Sequence, residues 1–114
     1  MTEFLPQNRY TIQRVSCEEL RRRFNDGGYW EKAKAGLLKQ VVLEENISTL
    51  LPNEVGPIRS QMVSYRDENN QEIGRIHQFL RPDDSIAASG KPDPKRLYEG
   101  GILYRIEKKQ KLSA

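Results

Sequence analysis

At 114 residues, 36% of them hydrophobic and 31% charged, the chain is long enough for one domain with a real core and too rich in aromatic and branched apolar residues to stay disordered. Its single cysteine, Cys17, excludes an internal disulfide, and one cysteine with one histidine excludes a Cys/His zinc cage. The formal excess of +3 lies wholly beyond residue 70, because ten Lys/Arg face ten Asp/Glu in residues 1–70 and nine face six in residues 71–114; such an asymmetry favours an anionic partner for the C-terminal part.

In chain order, the first residues read as an arm, 1–9, leading into a short strand, Tyr10 to Val15. Ser16 and Glu19 then form a Ser-x-x-Glu capping box, with Val15 and Leu20 at the positions of a hydrophobic staple. The helix so started buries Leu20 and Phe24 and ends at Asn25-Asp26-Gly27-Gly28. Arg21, Arg22 and Arg23 are consecutive and splay around it as a solvated face. A second helix is expected from Tyr29 or Trp30, because Trp30, Ala33, Leu37 and Val41 recur at helical spacing with Leu38 and Val42 beside them. Trp30 is its core anchor. The β-branched pair Val41-Val42 leaves open a strand over 39–43 instead. A further helical turn over 47–51 would stop at Pro52.

From Ile58 the period changes to two. Residues 58–66 and 72–81 read as antiparallel strands joined by the polar turn 67–71, and 102–107 as a third. The loop between, 82–101, is dense in Pro, Gly, Asp and Lys, and a loop of that length is usually functional or disordered. Within it Asp93-Pro94 reads as the start of a one-turn helix presenting Lys95 and Arg96. The expected fold is α+β: N-terminal helices on one face of a small C-terminal antiparallel sheet of three strands, with a fourth supplied by the N-terminal arm as an option. Residues 1–114 form a single domain, with the 1–9 arm and the basic 108–114 tail expected to be flexible.

A five-residue turn that sets Tyr65 opposite Ile73 places Arg59, Gln61, Val63, Tyr65, Arg75, His77 and Phe79 on one face and Ile58, Met62, Ile76 and Leu80 on the other. Ile102 and Tyr104 then join the core face, leaving Arg105 and Glu107 beside the polar set. That set holds what metal-independent RNA cleavage requires. His77 serves as acid or base, Glu107 is the available carboxylate, and Arg75 and Arg105 hold the phosphate. Arg59, Arg81, Lys91, Lys95 and Arg96 are the expected nucleic-acid-binding cations. No residue pattern calls for a metal or other cofactor, since Asp83, Asp84, Asp93 and Glu99 lack the spacing of a calcium loop.

The order of a first strand, two helices and an antiparallel meander resembles that of small metal-independent ribonucleases of the RelE and barnase kind, a resemblance of architecture that carries no site residues. The expectation is a small RNA-directed protein, with a metal-independent endoribonuclease of a toxin or defence system as its enzymatic form. The alternative is a non-catalytic accessory protein docking on a complex through the 82–101 loop and the sheet face. A stacking platform that binds nucleic acid without turnover is a third reading. The expected partners are RNA or an acidic protein surface, with an inhibitor or complex partner among them and no membrane. With no apolar run near the roughly 20 residues that cross a bilayer and no signal-peptide pattern at the start, the chain reads as cytoplasmic.

Overall fold

The computed structural model describes residues 11–48, 51, 54–88 and 90–106. Within them the chain forms β1 (Thr11–Val15), α1 (Cys17–Asp26), α2 (Tyr29–Lys34), β2 (Lys39–Ser48), β3 (Ile58–Arg66), β4 (Glu72–Leu80), β5 (Asp93–Glu99) and β6 (Ile102–Ile106). One sheet contains all six strands in the order β1-β6-β5-β4-β3-β2. Five consecutive strands run antiparallel, and β1 closes the far edge by pairing parallel to β6. The sheet is therefore six-stranded and mixed with two short helices, not a helix-packed antiparallel sheet of three strands. The chain order of a first strand, two helices and an antiparallel run of strands is as expected, but the run has five strands rather than three and β1 joins the same sheet.

The local chemistry explains where the elements stop. Ser16 Oγ accepts a hydrogen bond from the Glu19 N–H at 3.0 Å, capping α1, and Val15 and Leu20 are buried as the staple requires. The return half of the box is not made. The Glu19 carboxylate instead takes Arg22 at 2.6 Å and Arg23 at 2.9 Å. The second helix ends at Lys34, far short of Val41, because Gly36 follows with φ +82 and the β-branched residues beyond it favour an extended chain. Residues 39–48 become the edge strand β2, which also takes up Ile47 and Ser48 from the expected helical turn; Leu37, expected in the core, is 71% exposed. The loop expected over 82–101 is shortened in the same way: residues 93–99 form a strand, and Asp93-Pro94 starts no helix.

Helices α1 and α2 cover one face. Val15, Leu20, Phe24, Ala33, Val63, Tyr65, Ile76, Leu97 and Tyr104 make the core there, with Trp30 packed against it half-buried rather than anchored within it. Gly74 belongs to this face because Leu97 lies so close that an added Cβ would sit 3.2 Å from its Cδ1. The arm 1–9, the tail 108–114 and Glu107 fall outside the described residues. Among those described, no helix is long and apolar enough to cross a membrane.

Candidate functional site

The pairing register decides which side chains share the second face. Tyr65 lies opposite Gly74, and Ile73 is the extra residue of a bulge between the 65/74 and 66/72 pairs. That single residue inverts the expected relation of the two strands. Because Val63 pairs with Ile76 and Met62 with His77, Val63 and Tyr65 face the helices, whereas Met62 and Ser60 join His77 on the opposite side. Arg59 is likewise separated from His77. It pairs across from Leu80 and is held by the carboxylates of Asp84 and Glu45.

On the face away from the helices the registers line up four guanidinium groups. Arg14 of β1 is opposite Arg105 of β6, Arg105 is opposite Arg96 of β5, and Arg96 is opposite Arg75 of β4. Adjacent strands lie about 4.8 Å apart, so the row runs roughly 15 Å straight across the sheet. Like charges directly opposite one another destabilise a sheet, and this row repeats that arrangement three times. Among the described residues Glu72 is the one carboxylate that reaches it, 3.0 Å from Arg75 Nε and 4.0 Å from Arg96 Nε. Glu72 also accepts from Ser64 Oγ at 2.6 Å, and Arg66 Nε donates to the same hydroxyl at 3.1 Å. Among the described residues neither Arg14 nor Arg105 has an ion-pair partner. Beyond Ser64 the row is extended by Arg66 and by Lys39 opposite it.

His77 stands two residues along β4 from Arg75, on the same face. Its Nε2 is 2.7 Å from Ser60 Oγ, and its ring meets Phe79 edge-on at 4.6 Å between centroids. Burial and, to a lesser degree, the Lys95 ammonium lower its pKa, with Asp93 opposing them. The imidazole is therefore neutral near neutral pH and fit to accept a proton. Glu107, its expected carboxylate partner, lies outside the described residues. Asp93 is the nearest substitute by register, but its carboxylate is engaged by Arg21 Nε at 3.2 Å and Lys95 Nζ at 3.1 Å.

The expected binding cations divide. Arg96 is in the row. Arg81 is instead a clasp, donating from Nε and one terminal nitrogen to both oxygens of Glu54 at 2.9 Å each and from the other to Ser85 Oγ and the Ile86 carbonyl at 3.2 Å. Lys95 is the bulged residue of β5 beside Asp93. Lys91 lines a cavity of about 500 Å³ where β4 and β5 part, together with Arg21, His77, Gln78 and Phe79. Among the described residues no three His, Cys, Asp or Glu side chains gather as a metal-binding group.

Arg14 was missed by the sequence reading, although its neighbours alternate as a strand's do. What brings it to the site is the parallel pairing of β1 with β6, ninety residues away along the chain. Comparison with known proteins returned no matching family model, no matching curated protein and no matching solved structure.

Proposed function

We propose that this protein binds single-stranded RNA along the arginine row of the sheet face opposite its helices. The observation that carries the reading is the register of Arg14, Arg105, Arg96 and Arg75 across four adjacent strands, with one carboxylate among the described residues, Glu72, reaching them. Such a row costs folding energy that a strand of phosphates would return, since guanidinium groups hold phosphate oxygens in paired, charge-assisted hydrogen bonds. A sheet face that sets cations beside the partly buried rings of His77 and Phe79 suits single strands, whose splayed bases can stack on rings. The test is binding of a mixed-sequence oligoribonucleotide with and without Arg96→Gln and Arg105→Gln. Loss of binding in the double variant supports the reading. Failure of the wild type to bind at low salt, with capture of an acidic protein that depends on the same arginines, replaces it with the accessory-protein reading.

A cleaving form is favoured by one further observation, the His77 imidazole two residues from Arg75 on the same strand face: in that form it takes the 2′-hydroxyl proton, the 2′-oxygen displaces the 5′-oxygen from phosphorus, the 5′-oxygen leaves with a proton from water, and the arginines stabilise the charge. Cleavage of that kind proceeds in chelator, leaves a 2′,3′-cyclic or 3′ phosphate, and falls by about 10² or more in His77→Ala while RNA binding persists. Binding without any cleavage leaves the protein a binding module.

A further inference from the structure

The cavity at the fork of β4 and β5 takes no part in the arginine row, yet His77, two residues from Arg75 on the same face, is one of its walls, with Arg21 and Asn25 of α1 across from it. β5 pairs with β4 only as far as Asp93 opposite His77, and beyond that point β4 is joined instead by the returning loop, through Leu80 opposite Ile86 and the Ala87 N–H to the Phe79 carbonyl at 2.8 Å. The gap between the two pairings is the cavity. Its volume of about 500 Å³ falls within the range of small-molecule sites.

Its lining is divided between flat apolar surfaces and amides. Phe79, Ala87, Pro92 and Pro94 supply the former, with the His77 ring beside Phe79. Gln78 and Asn25 supply the latter. The Gln78 Nε2 donates one N–H to Gln61 Oε1 at 2.9 Å, which leaves its carbonyl oxygen as an acceptor and its second N–H as a donor. Arg21 is held at Nε by Asp93, leaving its terminal nitrogens as donors. A planar heterocycle that carries donors and acceptors on its edge matches such walls, because bases stack on ring faces and are read by hydrogen bonds along their edges.

We propose that this cavity receives one nucleobase of an RNA strand whose phosphates lie on the arginine row, an inference that rests on the RNA reading above. His77 and Arg75 are alternate residues of one strand face, so a nucleotide anchored at Arg75 stands next to the His77 wall of the cavity. The pocket thereby supplies what the row lacks, a preference among bases, since phosphate contacts position a strand without reading it.

Two measurements on the full chain separate this inference from the reading beneath it. In the first, adenosine, guanosine, cytidine and uridine 5′-monophosphates are titrated one at a time while backbone amide resonances are followed. The expected result is saturable shifts at Gln78, Phe79, Ala87 and Ala88 with one nucleotide favoured, retained in the Arg96→Gln/Arg105→Gln double variant and weakened about tenfold or more in Phe79→Ala, the scale of one lost base stack. In the second, an oligoribonucleotide containing 2-aminopurine is bound, and its emission is quenched by the wild type but not by Phe79→Ala. Binding of the oligoribonucleotide with no shift at the cavity and no quenching overturns the pocket and leaves the row standing. Nucleotide shifts at the cavity with no oligoribonucleotide binding keep the pocket as a nucleotide site and overturn the row. The wild-type titration decides the matter even if Phe79→Ala does not fold.

Discussion

Three side chains show how far single residues depart from what stability alone would select. Tyr65 is buried against Phe24, ring centroids 6.1 Å apart, and its hydroxyl finds no hydrogen-bond partner. A buried unsatisfied donor costs free energy, so Tyr65→Phe should leave the denaturation midpoint unchanged or raise stability by up to about 1 kcal/mol. Arg105 sits between Arg96 and Arg14, with no carboxylate paired to it among the described residues. Arg105→Gln should leave stability unchanged or raise it by up to about 1 kcal/mol while weakening RNA binding, the opposed pair of effects that marks a residue kept for function. His77 gives a pH signature. Its folded pKa is lowered by burial and by Lys95, so the unfolded chain binds the proton more readily. The stability it contributes is present above about pH 6.5 and is lost as pH falls through its own lower pKa. Denaturant midpoints measured above and below that window should drop on acidification in the wild type, and drop less in His77→Gln.

At the scale of elements, what is local in cause was legible in the sequence and what depends on distant pairing was not. The capping of α1 follows from Ser16 and its N–H partner three residues on; Ser16→Ala should cost about 1 kcal/mol in a denaturant melt, and an unchanged midpoint would mean the cap is idle. The core face of β4 was also readable, since Ile76 and Leu80 are buried as alternation requires, whereas in β6 Leu103, expected beside the polar set, is as buried as Tyr104. The relation of β3 to β4 was not, because a bulge at Ile73 has no sequence mark that turn length alone reveals. Periodicity likewise failed over 37–43: Leu37, Val41 and Val42 fit a helical stripe, but left-handed Gly36 breaks the helix and the run continues as an edge strand. Of the prolines in the expected loop, Pro92 leads into β5 and Pro94 lies within it, buried opposite Ile76. Of the candidate site, Arg75, Arg96 and Arg105 were named from sequence as cations. That they stand in one row with Arg14 is a property of registers, invisible until the strands are ordered.

For the whole molecule the central claim is that a mixed sheet, one face closed by helices, presents on the other a line of positive charge that folding tolerates and a polyanion satisfies. The net charge of +3 is small, so general attraction to RNA would be weak and a strong effect must come from the row itself. The most direct measurement is the affinity for a short single-stranded oligoribonucleotide as a function of salt, for the wild type and for the Arg96→Gln/Arg105→Gln double variant. Four phosphate contacts on a single strand give a slope of log affinity against log salt of about −3, and removing two should bring it to about −1.5. A wild-type slope near zero, or a slope unchanged in the double variant, would contradict the account.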